Sequence, residues 1–173
     1  MGLTIKTSHK IIQALCVVLT AILLTVPAIA NEDKKLIELY EQFNSELINS
    51  GFSEANRLFN EDNIKDSMKM LKSADIDFLK SFYSKKFTAS HEKCYSHSLC
   101  RESDLIFLSI LAFTEYEVVS LGKINGKSRK MGISGIDGGA VKIKLVIEWL
   151  HEDDKWKIDK LMKVPINWNI KFK

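Results

Sequence analysis

The chain has 173 residues, of which 46% are hydrophobic and 27% are charged, and it contains only 2 prolines. This balance excludes disordered, collagen-like and low-complexity proteins. The formal net charge is only +3, whereas a nucleic-acid-binding protein normally carries a strong basic excess.

The first 30 residues combine a basic start with a long apolar run. Lys6 and Lys10 are the only charged side chains there, and the run ends in Ala28-Ile29-Ala30, a small-x-small cleavage pattern. We therefore expect a signal peptide over 1–30, followed by a single domain over 31–173. Without the two lysines, 23 basic side chains stand against 22 acidic ones, a net charge of +1.

Export to the periplasm or outside the cell follows from this interpretation. The alternative is an uncleaved membrane anchor, since about 20 apolar residues just span a bilayer. A lipoprotein is disfavoured because Cys16 lies in the middle of the apolar run rather than at its end. No other long apolar run follows, so we expect no membrane association after cleavage.

The first part of the mature chain has helical periodicity. One apolar stripe is made by Leu36, Ile37, Tyr40, Phe43 and Leu47. Asn49-Ser50-Gly51 predicts the end of that helix. Shorter helical segments are expected at residues 53–59, 64–71 and 76–83, and each needs a surface to pack on.

The second part changes to a period of two. A half-buried strand is predicted where Val141, Ile143, Leu145, Ile147 and Trp149 alternate with mostly polar residues. Val146 is the one apolar residue on its polar face. A strand from residue 156 should bend near Lys160-Leu161-Met162, while Asn125-Gly126 and the glycines of 135–139 predict turns. The fold class is therefore α+β, with N-terminal helices packed on a curved antiparallel sheet of about four strands.

Three segments carry a family resemblance: LIELYEQFNSEL, DIDFLKSFYSKKF and VKIKLVIEWLHEDDKWKIDKL. They are similar to the first helix, a later helix and the terminal strand pair of the nuclear transport factor 2-like superfamily, in its small exported bacterial branch. Asp153-Asp154 stand where the family often has Asp-Gly. The resemblance covers about residues 33–164. It implies a cone in which helices close over a bent sheet, often with a pocket at the wide end, in binding proteins, immunity proteins and enzymes alike.

A short cluster of cysteine and histidine has the most chemical content. Its members are His91, Cys94, His97 and Cys100. In an oxidising compartment we expect Cys94 and Cys100 to form a disulfide that closes a local loop. A zinc or copper site made by all four side chains is the minority alternative, because their spacing fits neither a zinc finger nor one helix face.

The sequence assigns no catalytic residue and no cofactor. It lacks the nucleophile-elbow, Walker and His-Glu-x-x-His motifs. Tyr83, Tyr116 and Trp149 are candidates for lining a ligand pocket, although aromatic side chains more often form the core of a small domain. A basic cluster at Lys123, Lys127, Arg129 and Lys130 is interpreted as a solvated hairpin tip, with an acidic partner as the alternative.

Two functions remain open. The first is a non-enzymatic exported binding protein with a protein partner, and its concrete form is a toxin-neutralising immunity protein. The second is a carrier of a small apolar ligand, or a cyclase- or isomerase-type enzyme, that uses the pocket of the cone. An open pocket with a convergent acid or histidine would favour the second.

Overall fold

The computed structural model describes residues 31–172, apart from the side chains of Cys94 and Tyr95. Residues 31–49 are helical and are called α1. The elements that follow are α2 (Phe52–Asn60), α3 (Ile64–Ser73), α4 (Leu79–Phe82), α5 (Lys85–Tyr95), α6 (Ser98–Leu111), β1 (Phe113–Leu121), β2 (Ser128–Asp137), β3 (Lys142–Glu152) and β4 (Lys155–Val164). The α+β class with helices before the sheet is confirmed. The predicted signal peptide lies outside the described residues.

Contacts along the chain divide it into two units, Met1–Glu38 and Leu39–Lys173. The described part of the first unit is helical and has an ion pair between Lys34 and Glu38 at 3.4 Å. The second unit contains the four-stranded sheet and the cavities described below. A single domain over 31–173 stays a prediction.

The four strands are antiparallel and lie in the order β1-β2-β3-β4, which confirms the predicted antiparallel sheet of about four strands. Asn125 and Ser128 close the first hairpin with backbone hydrogen bonds of 2.9 and 3.0 Å, and Gly126 has a φ of 60°. The last hairpin turns through Asp153 and Asp154, whose φ values are 49° and 59°. A two-residue hairpin turn with positive φ at both positions is the type I′ turn, which Asp-Gly usually forms.

The apolar face of β3 is buried where the alternation predicts it. Ile143 is 2% exposed, and the next three apolar residues of that face, Leu145, Ile147 and Trp149, are fully buried. Val141 departs from the expected pattern, because β3 begins at Lys142 and Val141 is 46% exposed. The Asp137 carboxylate accepts the Gly139 and Val141 backbone N–H groups, so Val141 belongs to the turn rather than to the strand.

The opposite face of the sheet is covered by the C-terminal tail, residues 165–172. A Cβ placed on Gly132 would lie 2.6 Å from Ile170 Cγ2, so the tail packs directly on that glycine. Gly132 pairs with Val146, which is only 7% exposed. Lys144 Nζ donates to the Trp168 carbonyl at 2.7 Å. Val146, the one apolar residue on the polar face of β3, therefore lies beneath the tail.

The helices cover the apolar face of the sheet. α2 and α3 contact α6, α6 contacts β2, and α4 and α5 contact β4. The side chains of Tyr40, Phe43, Phe113 and Trp149 are fully buried. Asn44 accepts a hydrogen bond from the Phe113 N–H and donates one to the Phe113 carbonyl, both at 2.9 Å, which ties α1 to the start of β1.

Candidate functional site

The start of α5 is fixed by a bulge in β4. The β3–β4 register shifts between Glu148 and Trp149, which leaves Asp159 as an extra residue close to the bend that the sequence predicts. The Ser84 hydroxyl donates to Asp159 Oδ1 at 2.7 Å and accepts the Phe87 backbone N–H at 3.1 Å. Ser84 is fully buried and thus acts as an N-cap that also anchors the helix to the sheet.

Three rings lie around this cap at intervals of four residues: Tyr83 immediately before it, and Phe87 and His91 on α5. Tyr83 and Phe87 have centroids 4.4 Å apart, and Phe87 and His91 have centroids 4.3 Å apart. Tyr83 also contacts His91 at 5.3 Å. Phe87 and His91 are four residues apart and lie on one side of α5, and the Tyr83 ring contacts both, so the three rings form a continuous wall.

His91 is held at both ring nitrogens. Its Nδ1 lies 3.3 Å from the Phe87 carbonyl, and its Nε2 lies 3.4 Å from Asp104 Oδ2 on α6. The side chains of His91 and Asp104 are only 19% and 24% exposed. The pair therefore links α5 to α6 and fixes the plane of the imidazole ring.

The Asp104 carboxyl lies in a partly dry environment. Burial raises the pKa of Asp104 above its ordinary value, and the opposite charge of His91 lowers it in part. His91 and Tyr83, which is 4% exposed, line one small volume, while Asp104 acts on it through His91.

This volume is the aromatic cavity, of about 190 Å³, between α4 and α5. Its walls are Ile76, Leu79, Tyr83, Thr88 and His91, and its rim carries Asp77, Lys80 and Glu92. An apolar cavity of about 150 Å³ binds benzene in an engineered protein, whereas drug-sized ligands need about 300 Å³ or more. The aromatic cavity therefore fits a molecule of about one ring.

The three aromatic residues singled out by the sequence do not line one cavity. Tyr83 lines the aromatic cavity, and Trp149 is fully buried in the core. Tyr116 packs edge-on against Tyr40 at 5.0 Å and lines a different depression, together with Glu115 and Lys142. Burial raises the pKa of Tyr116, and the nearby charge of Glu41 raises it further.

The cysteine and histidine cluster spans the junction of two helices. Cys94 lies on α5 and Cys100 on α6, and only Ser96 and His97 separate the helices. Within the side chains that the structure describes, no group of three or more His, Cys, Asp or Glu residues is placed to hold a metal ion. The disulfide and the metal alternative both stay predictions, since the Cys94 side chain lies outside that set.

Sequence reasoning did not assign Ser84, Thr88 or Asp104 to a site. The spacing of four residues from Tyr83 through Phe87 to His91 is the signal that points to the aromatic wall. Asp104 has no comparable signal, because its partner is thirteen positions away and on another helix.

No helix among residues 31–172 has the length and apolar character needed to cross a membrane. No protein-family model matches the sequence, and no curated protein is found to be similar to it. Among solved structures, a designed nuclear transport factor 2-like protein is similar at 18% identity and a TM-score of 0.27. The match covers 37% of this chain and 61% of the designed one.

Proposed function

We propose that this chain is a non-enzymatic, exported binding protein that holds a small, largely apolar ligand of about one ring in the aromatic cavity. The observation that carries the proposal is the wall of contacting rings made by Tyr83, Phe87 and His91, of which Tyr83 and His91 line a cavity of about 190 Å³. Ser84 at one end and Asp104 at the other hold this wall in place, so the site is preorganised.

The contacts of His91 support binding rather than acid–base catalysis. A catalytic imidazole needs a nitrogen within hydrogen-bond reach of the ligand's reacting proton. Both nitrogens of His91 face oxygen atoms of the protein itself, in Phe87 and Asp104. The ring is therefore placed to present its face, together with Tyr83, to an apolar or aromatic ligand.

Export to the periplasm is proposed from the basic and apolar pattern of residues 1–30. Membership of the nuclear transport factor 2-like superfamily is also part of the proposal. Helices that precede and cover a four-stranded antiparallel meander support it. Phe43, Phe113 and Trp149 are fully buried, and the proposed ligand site lies between α4 and α5 rather than at the sheet.

A protein partner, with a toxin-neutralising immunity protein as its concrete form, is the second candidate function. It is favoured by Ile166 and Trp168 of the tail, which are 47% and 59% exposed. Exposed tryptophan is enriched among the residues that dominate protein–protein binding. In this case Trp168→Ala would remove the interaction and leave the aromatic cavity unchanged.

The experiment for the first candidate is a calorimetric titration of the purified protein with phenol and with indole. We expect saturable 1:1 binding of at least one probe. Thr88→Phe fills the cavity and should abolish that binding. Thr88→Val has nearly the same side-chain volume and removes only the hydroxyl, which an apolar ligand does not need, so it should bind within about threefold of the original protein.

Circular dichroism establishes that both variants fold. Equal binding by the folded Thr88→Phe variant would place the ligand elsewhere and contradict the proposal. Absence of binding by both probes in the original protein would contradict it as well.

A further inference from the structure

The mouth of the aromatic cavity is charged, in contrast to its largely apolar walls. Asp77 precedes α4, Lys80 lies on α4 and Glu92 lies on α5, and all three line the rim. Glu92 follows Thr88 by four residues, so both lie on the side of α5 that faces the cavity. A charged mouth attracts ligands of opposite charge and repels those of the same charge.

Lys80 is surrounded by carboxylates. Its Nζ lies 3.0 Å from Asp77 Oδ1, and Asp75 Oδ1 accepts the Asp77 backbone N–H at 2.9 Å. The hydrogen bond and the charge of Asp77 raise the pKa of Lys80, and the charges of Glu92 and Asp75 raise it further. Three negative charges therefore lie near one positive charge, which gives this group a net charge of −2.

The lysines on the next part of the fold have acidic partners of their own. Lys85 Nζ lies 2.8 Å from Asp153 Oδ2, and the Lys85 backbone N–H donates to Glu152 at 3.0 Å. Lys157 Nζ donates to the Ser81 carbonyl. Lys85 lowers the pKa of Asp153, and Lys157 lowers it further. Two lysines thus stand against two carboxylates there, so they do not cancel the negative charge at the mouth.

The aromatic wall adds a preference of the same sign. The face of an aromatic ring is negative, and a cation within about 6 Å of the ring centre is attracted to it. Tyr83 lines the cavity, and Lys80 at the rim is three residues before it in the chain. A ligand with one ring and an ammonium group on a short arm can contact the apolar walls with its ring and keep its charge at the mouth.

We infer that the ligand of the aromatic cavity is a small arylalkyl amine, bound with its ring between α4 and α5 and its ammonium group beside the carboxylates of the rim. This inference rests on the proposed function, because it assigns a charge to the ligand of the same site. A ring that carries a carboxylate would be repelled by the net negative charge. A neutral ring such as phenol fits the walls but gains nothing from the rim.

The test compares benzylamine with benzyl alcohol, which is uncharged and has nearly the same size and shape, in calorimetric titrations of the full chain at neutral pH. We expect 1:1 binding of both compounds at low salt, with benzylamine tighter by about threefold or more. The preference should shrink as sodium chloride is raised to roughly 0.5 M, because salt screens charges at an exposed rim.

Two rim variants should change this preference in opposite directions. Glu92→Gln removes a negative charge and should lower the ratio of the two affinities about twofold, whereas Lys80→Gln removes the positive charge and should raise it. Glu117→Gln removes an exposed carboxylate from β1 and is the matched control, whose ratio should equal that of the original chain. All three side chains are exposed, so the variants should fold, and circular dichroism verifies this.

Equal affinity for benzylamine and benzyl alcohol would overturn this inference and leave the proposed function in place. The same holds for a preference that Glu92→Gln and Lys80→Gln leave at the value of the Glu117→Gln control. Binding of neither compound would overturn the inference together with the proposed function.

Discussion

At the residue scale, the role of His91 changes most between sequence and structure. The sequence places it in a cluster with Cys94, His97 and Cys100, where a metal is one alternative. In the structure its ring lies against Phe87 and its Nε2 faces Asp104, on the next helix. The pair explains how the aromatic wall keeps its orientation.

The Asp104 carboxyl should make stability depend on pH. Its pKa in the folded protein is raised above 3.8 by burial, with His91 opposing part of the rise. The stabilisation from the protonated form is then complete below about pH 3.8 and is lost as the pH rises through the higher folded-state pKa. Asp104→Asn lacks this titration.

The free energy of unfolding of the original protein, minus that of Asp104→Asn, should accordingly fall as the pH rises above 3.8. Urea unfolding of both proteins between pH 3.5 and pH 7, in roughly half-unit steps, measures this difference. A difference that is constant or rises over this range would show that the Asp104 carboxyl is not desolvated in the folded protein.

At the element scale, the C-terminal tail packs on the sheet at Gly132, where Ile170 occupies the space that a side chain would need. An alanine Cβ there would approach Ile170 Cγ2 to 2.6 Å, so the side chain of the tail must move. Gly132→Ala should lower the free energy of unfolding by about 1 kcal/mol, the low end for overpacking, because the tail can shift.

The same variant should expose the tail to chymotrypsin at Trp168, and the rate of cleavage measures this effect. Ser134→Ala lies two residues along β2 on the same face and adds no atom, so its tail should be cleaved as in the original protein. Unchanged cleavage in Gly132→Ala would mean that the tail is not held on this face.

The junction of α5 and α6 is the place to test the cysteines. If Cys94 and Cys100 form a disulfide, the double change Cys94→Ser with Cys100→Ser should lower the free energy of unfolding by about 2 kcal/mol and leave a folded protein. Thiol titration of the original protein should then find no reactive thiol from this pair.

The metal alternative makes the opposite forecast for the same junction. Two reactive thiols, one bound zinc or copper per chain, and loss of that metal in His91→Ala or His97→Ala would contradict the disulfide. Metal analysis of protein purified without a chelator provides the measurement.

At the scale of the whole molecule, local patterns predict most of the architecture. Periodicity and turn chemistry correctly predict three features: the buried apolar face of β3, the turn at Asn125-Gly126, and the buried helical stripe of Tyr40, Phe43 and Leu47. Each of these signals depends on residues that are close in the chain. Val146 shows the limit, since its apolar character is visible but its cover by the tail is a contact between distant segments.

The candidate site is less predictable for the same reason. Tyr83 is found from its aromatic ring, but its partners are selected by the packing of α4, α5 and α6. Asp104 acts through His91, which lies on another helix. Ser84 is held by Asp159, which lies on β4 and is far from it in the sequence. The C-terminal tail likewise returns to the β1–β2 hairpin, where Phe172 packs on Gly122, and no local pattern signals this contact.

The most direct test of the proposed ligand site is a methyl-resolved NMR titration of the protein with phenol. Ile76 and Leu79 line the aromatic cavity, whereas Ile133 and Leu145 lie fully buried in the sheet. We predict that the methyl signals of Ile76 and Leu79 shift progressively and saturate with phenol, while those of Ile133 and Leu145 stay unchanged. Saturable shifts confined to other methyl groups, or none at Ile76 and Leu79, would contradict the account.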